Sequence, residues 1–105
     1  MFNHVGHLTL SPDATDAQIE GIVAGLLGLP GQIDGLVEAQ VARDAGLAEG
    51  NATVRFSMRF ESVDAWRAYG AHPAHVALIA DHIRPVLAGK AMLQFDDADV
   101  RVATA

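Results

Sequence analysis

Residues 52–60 leave this chain the least freedom. Val54, Phe56, Met58 and Phe60 alternate with Arg55, Ser57 and Arg59. A period of two places successive side chains on opposite faces only in a β-strand. The apolar row demands a core, and a slip of one residue would turn all four of those side chains into water. The arginine row demands water or carboxylates, and Glu38 and Gln40 on a neighbouring strand are candidates to face it.

The other elements arrange themselves around that strand. His4-Val5-Gly6-His7-Leu8-Thr9-Leu10 reads as a first strand, with His4, Gly6, Leu8 and Leu10 on one face and Val5, His7 and Thr9 on the other. Ser11-Pro12-Asp13 breaks it. Thr15 with Gln18 three residues on is a capping box, opening a helix whose Ile19, Ile22, Val23, Leu26 and Leu27 form one apolar stripe. Gly28, Pro30 and Gly31 stop that helix. A second strand spans Leu36–Arg43, with Val37, Ala39 and Val41 on one face. The polar connection at residues 44–50 is longer than a tight hairpin and is a candidate flexible loop or lid. Ser62 can cap a short helix at 63–69. Pro73 then starts a new helical stretch and biases His72 away from helical geometry. Val76, Ile79, Ala80 and Ile83 form its stripe, Pro85 ends or kinks it, Val86-Leu87 continues as a final turn, and Gly89 marks the exit. A last strand covers residues 91–95, followed by an acidic tail at 97–105.

The order β-α-β-β-α-β is that of the ferredoxin-like α+β fold, four antiparallel strands with both helices on one face. With 105 residues, a single domain over 1–105 with a core at about 4–96 is expected. Two helices cover one sheet face. The other, with His7, Thr9, Arg55, Ser57 and Arg59, is too mixed for a plain solvent face, which predicts a homodimer through the sheet. A net charge of −6 with scattered acids argues against nucleic acid and anionic membranes as partners. Cysteine is absent, so disulfides, thiolate metal sites and cysteine nucleophiles are excluded. No apolar run reaches ~18 residues and none follows a basic start, so a cytoplasmic location is the expectation.

Phe60-Glu61-Ser62-Val63, Tyr69 and His72-Pro73-Ala74-His75-Val76 resemble the stress-responsive dimeric α+β barrel (Dabb) domain. His4, the turn Leu29-Pro30-Gly31-Gln32-Ile33 and Ile83-Arg84-Pro85 fit as well, so the likeness covers residues 4–96. It implies a ferredoxin-like subunit paired sheet to sheet into a barrel. One member type is a plant polyketide cyclase that makes olivetolic acid by an intramolecular aldol condensation. Its Tyr/His acid–base pair matches Tyr69 and His75, and a His opening its first strand matches His4. A further pocket His on its third strand falls at Val54, and its helix lining is more aromatic than Ile19, Ile22, Val23, Leu26 and Leu27, so no particular substrate carries over.

The residues themselves support a parallel reading. His75 titrates near neutrality and suits a general base. Tyr69 would donate to a developing enolate oxygen, and His4 would assist. The competing reading has His75 and Tyr69 satisfying each other or backbone carbonyls at a buried break. Leu8, Val23, Val54, Phe56 and Ile79 are candidate pocket walls for a small apolar ligand. Gly6 either leaves a void beside His4 or admits a close-packed helix. His72 fits helix capping better than catalysis. His72, His75 and His82 lack a neighbouring carboxylate to complete a metal set, so no metal and no cofactor are expected. Trp66 reads as packing, and Arg55 and Arg59 as partners for Glu38. Three functions stay open: a cofactor-free cyclase or lyase acting on a polyketide-like or aromatic substrate; a non-catalytic stress-response or small-molecule-binding barrel; and, by fold analogy alone, a cofactor-free monooxygenase or haem-degrading barrel.

Overall fold

The computed structural model describes residues 1–105. Its elements are β1 (Phe2–Leu10), α1 (Asp16–Leu27), β2 (Leu36–Arg43), β3 (Val54–Phe60), α2 (Val63–Ala71), α3 (Pro73–Leu78) and β4 (Leu87–Asp96). A π-helical turn, Ile79–Ile83, and a 3-10 turn, Arg84–Val86, join α3 to β4. The sheet is antiparallel in the order β2-β3-β1-β4. This is the ferredoxin-like arrangement read from the sequence.

β3 behaves as its alternation requires. Val54, Phe56, Met58 and Phe60 are all buried, against Leu8, Ile22, Leu26 and Leu36 in one cluster. The capping box forms at α1: Thr15 Oγ1 accepts from Gln18 N at 3.2 Å, and Thr15 N donates to Gln18 Oε1 at 2.9 Å. Ile19, Ile22 and Leu26 point into the core, whereas Leu27 is half exposed, which narrows the expected stripe.

Three further expectations are corrected. In β2 the register slips between Leu36 and Glu38, a bulge that puts Leu36 in the core and Val37 outside. In the second helical region Leu78 is buried and Val76 is exposed, and the helix changes to a π-helical turn at Ile79–Ile83. β4 begins at Leu87, not at residue 91, so Gly89 lies inside the strand, beside a register shift opposite Thr9 and Leu10. The final turn holds at Val86, which closes the 3-10 turn, but not at Leu87, which opens β4, and Gly89 is no exit.

Glu38 pairs in register with Arg59, but its carboxylate accepts from Gln40 instead. Arg59 binds Asp97 at 2.6 Å. Asp97 also accepts from the Asn3 amide at 2.7 Å and lies 3.4 Å from the N-terminal amine. The Asn3 hydrogen bond, then Arg59, hold its carboxyl below the usual carboxylate range. The 44–50 loop is tied by Asp44, which accepts from Gly46 N and Asn51 Nδ2 at 3.0 and 3.2 Å. It borders a surface pocket with His7 and Arg55, away from Tyr69 and His75, and is no lid over them.

The helices lie on the face that carries His4, Gly6 and Leu8. Val5, His7 and Thr9 face the other way, with Arg55 and Ser57 of β3 and Leu93 of β4 in register beside them. No helix is long and apolar enough to cross a membrane.

Candidate active site

The site grows from the gap between α2 and α3. Proline has no N–H and disfavours helical geometry in the residue before it. His72 accordingly sits at φ −65°, ψ 134°, outside helical space. In an unbroken helix Ala74 N–H would donate to Gly70 O. Here the two groups are parted, and two histidines satisfy them separately. Ala74 N donates to His72 Nδ1 at 3.1 Å, making His72 the cap of α3. His75 Nδ1 donates to Gly70 O at 3.1 Å.

That second bond fixes the chemistry of His75. A carbonyl oxygen only accepts, so the ring proton is on Nδ1 and the Nε2 lone pair is free. Burial is the main reason its pKa lies below the ordinary value of 6.5, with the charges of His72 and Lys90 pushing the same way and the Gly70 bond opposing them. At neutral pH the ring is an uncharged base.

His4 is the complementary case. Gln94 Nε2 donates to His4 Nδ1 at 2.9 Å, which leaves the proton on Nε2. Burial, then the neighbouring His75, lower its pKa to about 4. It is therefore a neutral hydrogen-bond donor. Tyr69 is 4% exposed, and burial raises its pKa, so its hydroxyl keeps its proton. Its ring centre lies 4.1 Å from that of His75 and 5.8 Å from that of His4. The Tyr69 hydroxyl, His75 Nε2 and His4 Nε2 make no hydrogen bond inside the chain. None of the three is sealed off, because no fully buried side-chain nitrogen or oxygen lacks a partner. They open onto free space.

That space has two compartments. An inner chamber of about 80 Å³ is walled by apolar side chains including Leu8, Phe56, Ile79 and Ile83, with Tyr69 and His75. An outer pocket of about 410 Å³ reaches past Trp66 and Gly70. The two share His4, Tyr69, His75, Ile79, Lys90 and Met92.

Of the pocket residues expected from sequence, Leu8, Phe56 and Ile79 line the chamber, while Gly6, Val23 and Val54 do not. Gly6 sits between Phe56 and Met92 in register, and a Cβ there would collide with both side chains. The missing side chain makes room for those two walls instead of leaving a void or admitting a helix. Trp66 packs against Phe2 at 5.6 Å and also lines the outer pocket. His82 is exposed beside Gly21, apart from His72 and His75. No three His, Asp or Glu side chains lie close enough to hold a metal ion. Gln94, Met92 and Lys90 were missed. Alternation counted back from Phe95 puts all three on one face of the last strand; pairing with β1 makes that the His4 face, and only Lys90 lies outside the expected 91–95.

Residues 2–97 match the family model described as the Stress responsive A/B Barrel Domain, Dabb. Among solved structures, a dimeric ferredoxin-like protein of unknown function from Thermobifida fusca is 32% identical, with a TM-score of 0.79 over 90% of this chain and 88% of the other. A protein of Arabidopsis thaliana is 25% identical, with a TM-score of 0.80 over 97% and 100%. A hydroxynitrile lyase from Passiflora edulis is 17% identical, with a TM-score of 0.77 over 90% of each chain, a likeness of fold alone. No curated protein matches the chain.

Proposed function

From the premise that this chain belongs to the stress-responsive A/B barrel (Dabb) family, we propose that it is a cofactor-free acid–base catalyst that makes or breaks a carbon–carbon bond next to a carbonyl. His75 Nε2 removes a proton from the carbon beside the carbonyl. Tyr69 O–H and His4 Nε2–H donate to the carbonyl oxygen as it becomes an enolate. In the cyclase direction, the enolate carbon attacks a second carbonyl of the same molecule, and protonated His75 returns its proton to the new alkoxide. The lyase direction runs these steps in reverse; the fold shared with a hydroxynitrile lyase is compatible with it. What supports the reading is the set of three polar atoms without a partner in the chain, one base and two donors, on side chains that line one largely apolar cavity. An inner chamber of about 80 Å³ suits a reacting carbonyl group, and the outer pocket suits the rest of a small polyketide-like or aromatic molecule.

A second reading, a non-catalytic stress-response barrel, is favoured by the volume above Gly6, which Phe56 and Met92 fill. One experiment separates the two. Poly-β-keto thioesters of increasing length are incubated with the protein and ring-closed products are followed by mass spectrometry. Catalysis predicts that His75→Ala and Tyr69→Phe each lose about 10²–10⁴-fold in rate. Tyr69→Phe keeps its melting temperature within about 1–2 °C, because the lost hydroxyl had no partner in the chain. Turnover unchanged in Tyr69→Phe sinks the catalytic reading.

The dimeric structural neighbours support self-association. We propose that the interface is the helix-free sheet face, where Val5 and the 62%-exposed Leu93 sit side by side.

A further inference from the structure

The chain has one lysine, and it stands in the cavity wall. On β4, Lys90 pairs in register with Leu8 of β1, which puts it on the helix-facing side with Met92 and Gln94. It borders both the inner chamber and the outer pocket. The protein carries a net charge of −6, yet neither compartment is lined by a single Asp or Glu. Arg67, the other cation at the rim, is paired with Asp64 across 3.5 Å. Lys90 has no ion-pair partner in the chain.

The placement has a cost. A cation near His75 opposes any positive charge on that ring. Lys90 is itself exposed, and on a plain surface an isolated lysine is ordinary; its place in the lining of both compartments is what sets it apart. At the meeting point of a base, two donors and a carboxylate-free cavity, its charge is left for a ligand to neutralise. We propose that the molecule bound here carries an oxyanion, a carboxylate or a phosphate, held by Lys90 at the border of the two compartments while its carbonyl end enters the inner chamber. This deepens the acid–base reading above and rests on it. It narrows the substrate class to anionic carbonyl compounds. It also gives Lys90 a second effect, because the same ammonium stabilises negative charge developing on the enolate.

The single lysine makes a direct test available. Reductive methylation with ¹³C-formaldehyde labels Lys90 and the terminal amine and keeps both charges. The labelled protein is titrated with acetoacetate, with its uncharged methyl ester, and with acetyl phosphate, while the Lys90 methyl and His75 ring signals are followed by NMR. The expected result is that at least one anion moves both signals with a common saturation curve, about tenfold tighter than the ester. Lys90→Met brings the anion down to the affinity of the ester, and Lys90→Arg keeps most of the preference. A carboxylate source is indicated when acetoacetate alone saturates, and a phosphoryl source when acetyl phosphate does. Equal binding of acid and ester, a preference that persists in Lys90→Met, or no response to any anion overturns the inference. The readout is binding, so it is independent of turnover. Charge-selective binding with no rate loss in Tyr69→Phe would remove the acid–base reading alone, and turnover without charge selectivity would remove this one alone.

Discussion

His4 and His75 are the same residue type used in opposite senses, and one hydrogen bond decides each case. Gln94 donates to Nδ1 of the first, and Gly70 O accepts from Nδ1 of the second. The first is left as a donor and the second as a base. Burial keeps both uncharged, and this links the site to stability. The pKa of His4 is about 4 in the fold against 6.5 unfolded. A lowered histidine pKa means that the unfolded chain takes up the proton first. The contribution is fully present above pH 6.5, is lost as pH falls from there toward 4, and levels off below. At pH 4.5 the loss from His4 is about 2 kcal/mol once pocket water is allowed for, and His75 adds to it in the same direction. Urea midpoints at pH 7 and 4.5 should therefore converge in His4→Gln relative to wild type. An identical acid loss in that variant would show that His4 is not the group responsible. The reactive residues were legible in the sequence as residue types near a proline. The protonation of His4 was not, because it depends on a glutamine 90 positions away in sequence.

The elements were read well where their signals are local and poorly where the signal is a neighbour. The Thr15 capping box, the Ser62 cap and the alternation of β3 need only a few adjacent residues, and all three are present. The bulge at Val37 and the early start of β4 are set by pairing with β3 and β1, which no window of sequence contains. The π-helical turn has a nearer cause. Pro85 cannot donate to a preceding carbonyl, and Arg84 N reaches back five residues to Ile79 O. That widened turn sets both Ile79 and Ile83 against the inner chamber. Capping of α3 by the His72 ring gives a prediction at this scale. His72→Ala should cost about 1 kcal/mol and His72→Asn much less, read as urea midpoints, since an Asn side chain can take the Ala74 N–H in place of the ring. Equal losses would mean that the ring contributes packing and not the cap.

At the scale of the whole molecule, the sheet divides the labour. Its helix side holds the cavity and the core; its other side carries Val5, His7, Thr9, Arg55, Ser57 and Leu93 in register. The sequence alone raised the expectation that this second side is not a plain solvent face, because its pattern is neither apolar nor uniformly polar. It could not show which residues lie at its centre, since Leu93 counted only once β4 was placed beside β1. If the helix-free face is the interface, Leu93→Asp should halve the sedimenting mass while leaving the helical circular-dichroism signal unchanged, because the new charge would be buried against a copy of itself. An unchanged mass would move the interface elsewhere.

The His72-Pro73 break has one more consequence, best put as phase. Six residues along a continuous helix turn through about 600°, leaving the second side chain about 120° away from the first. Tyr69 and His75 are six apart, yet their ring centres lie 4.1 Å apart with the planes tilted, because the count restarts at the proline. Their mutual aim is thus a matter of spacer length. A residue gained or lost between Gly70 and Pro73 would swing the base toward a different wall of the cavity while both reactive side chains and the packed sheet stayed the same. The joint acts as a dial: chain length, and not residue identity, selects which atom of a bound molecule the base can reach.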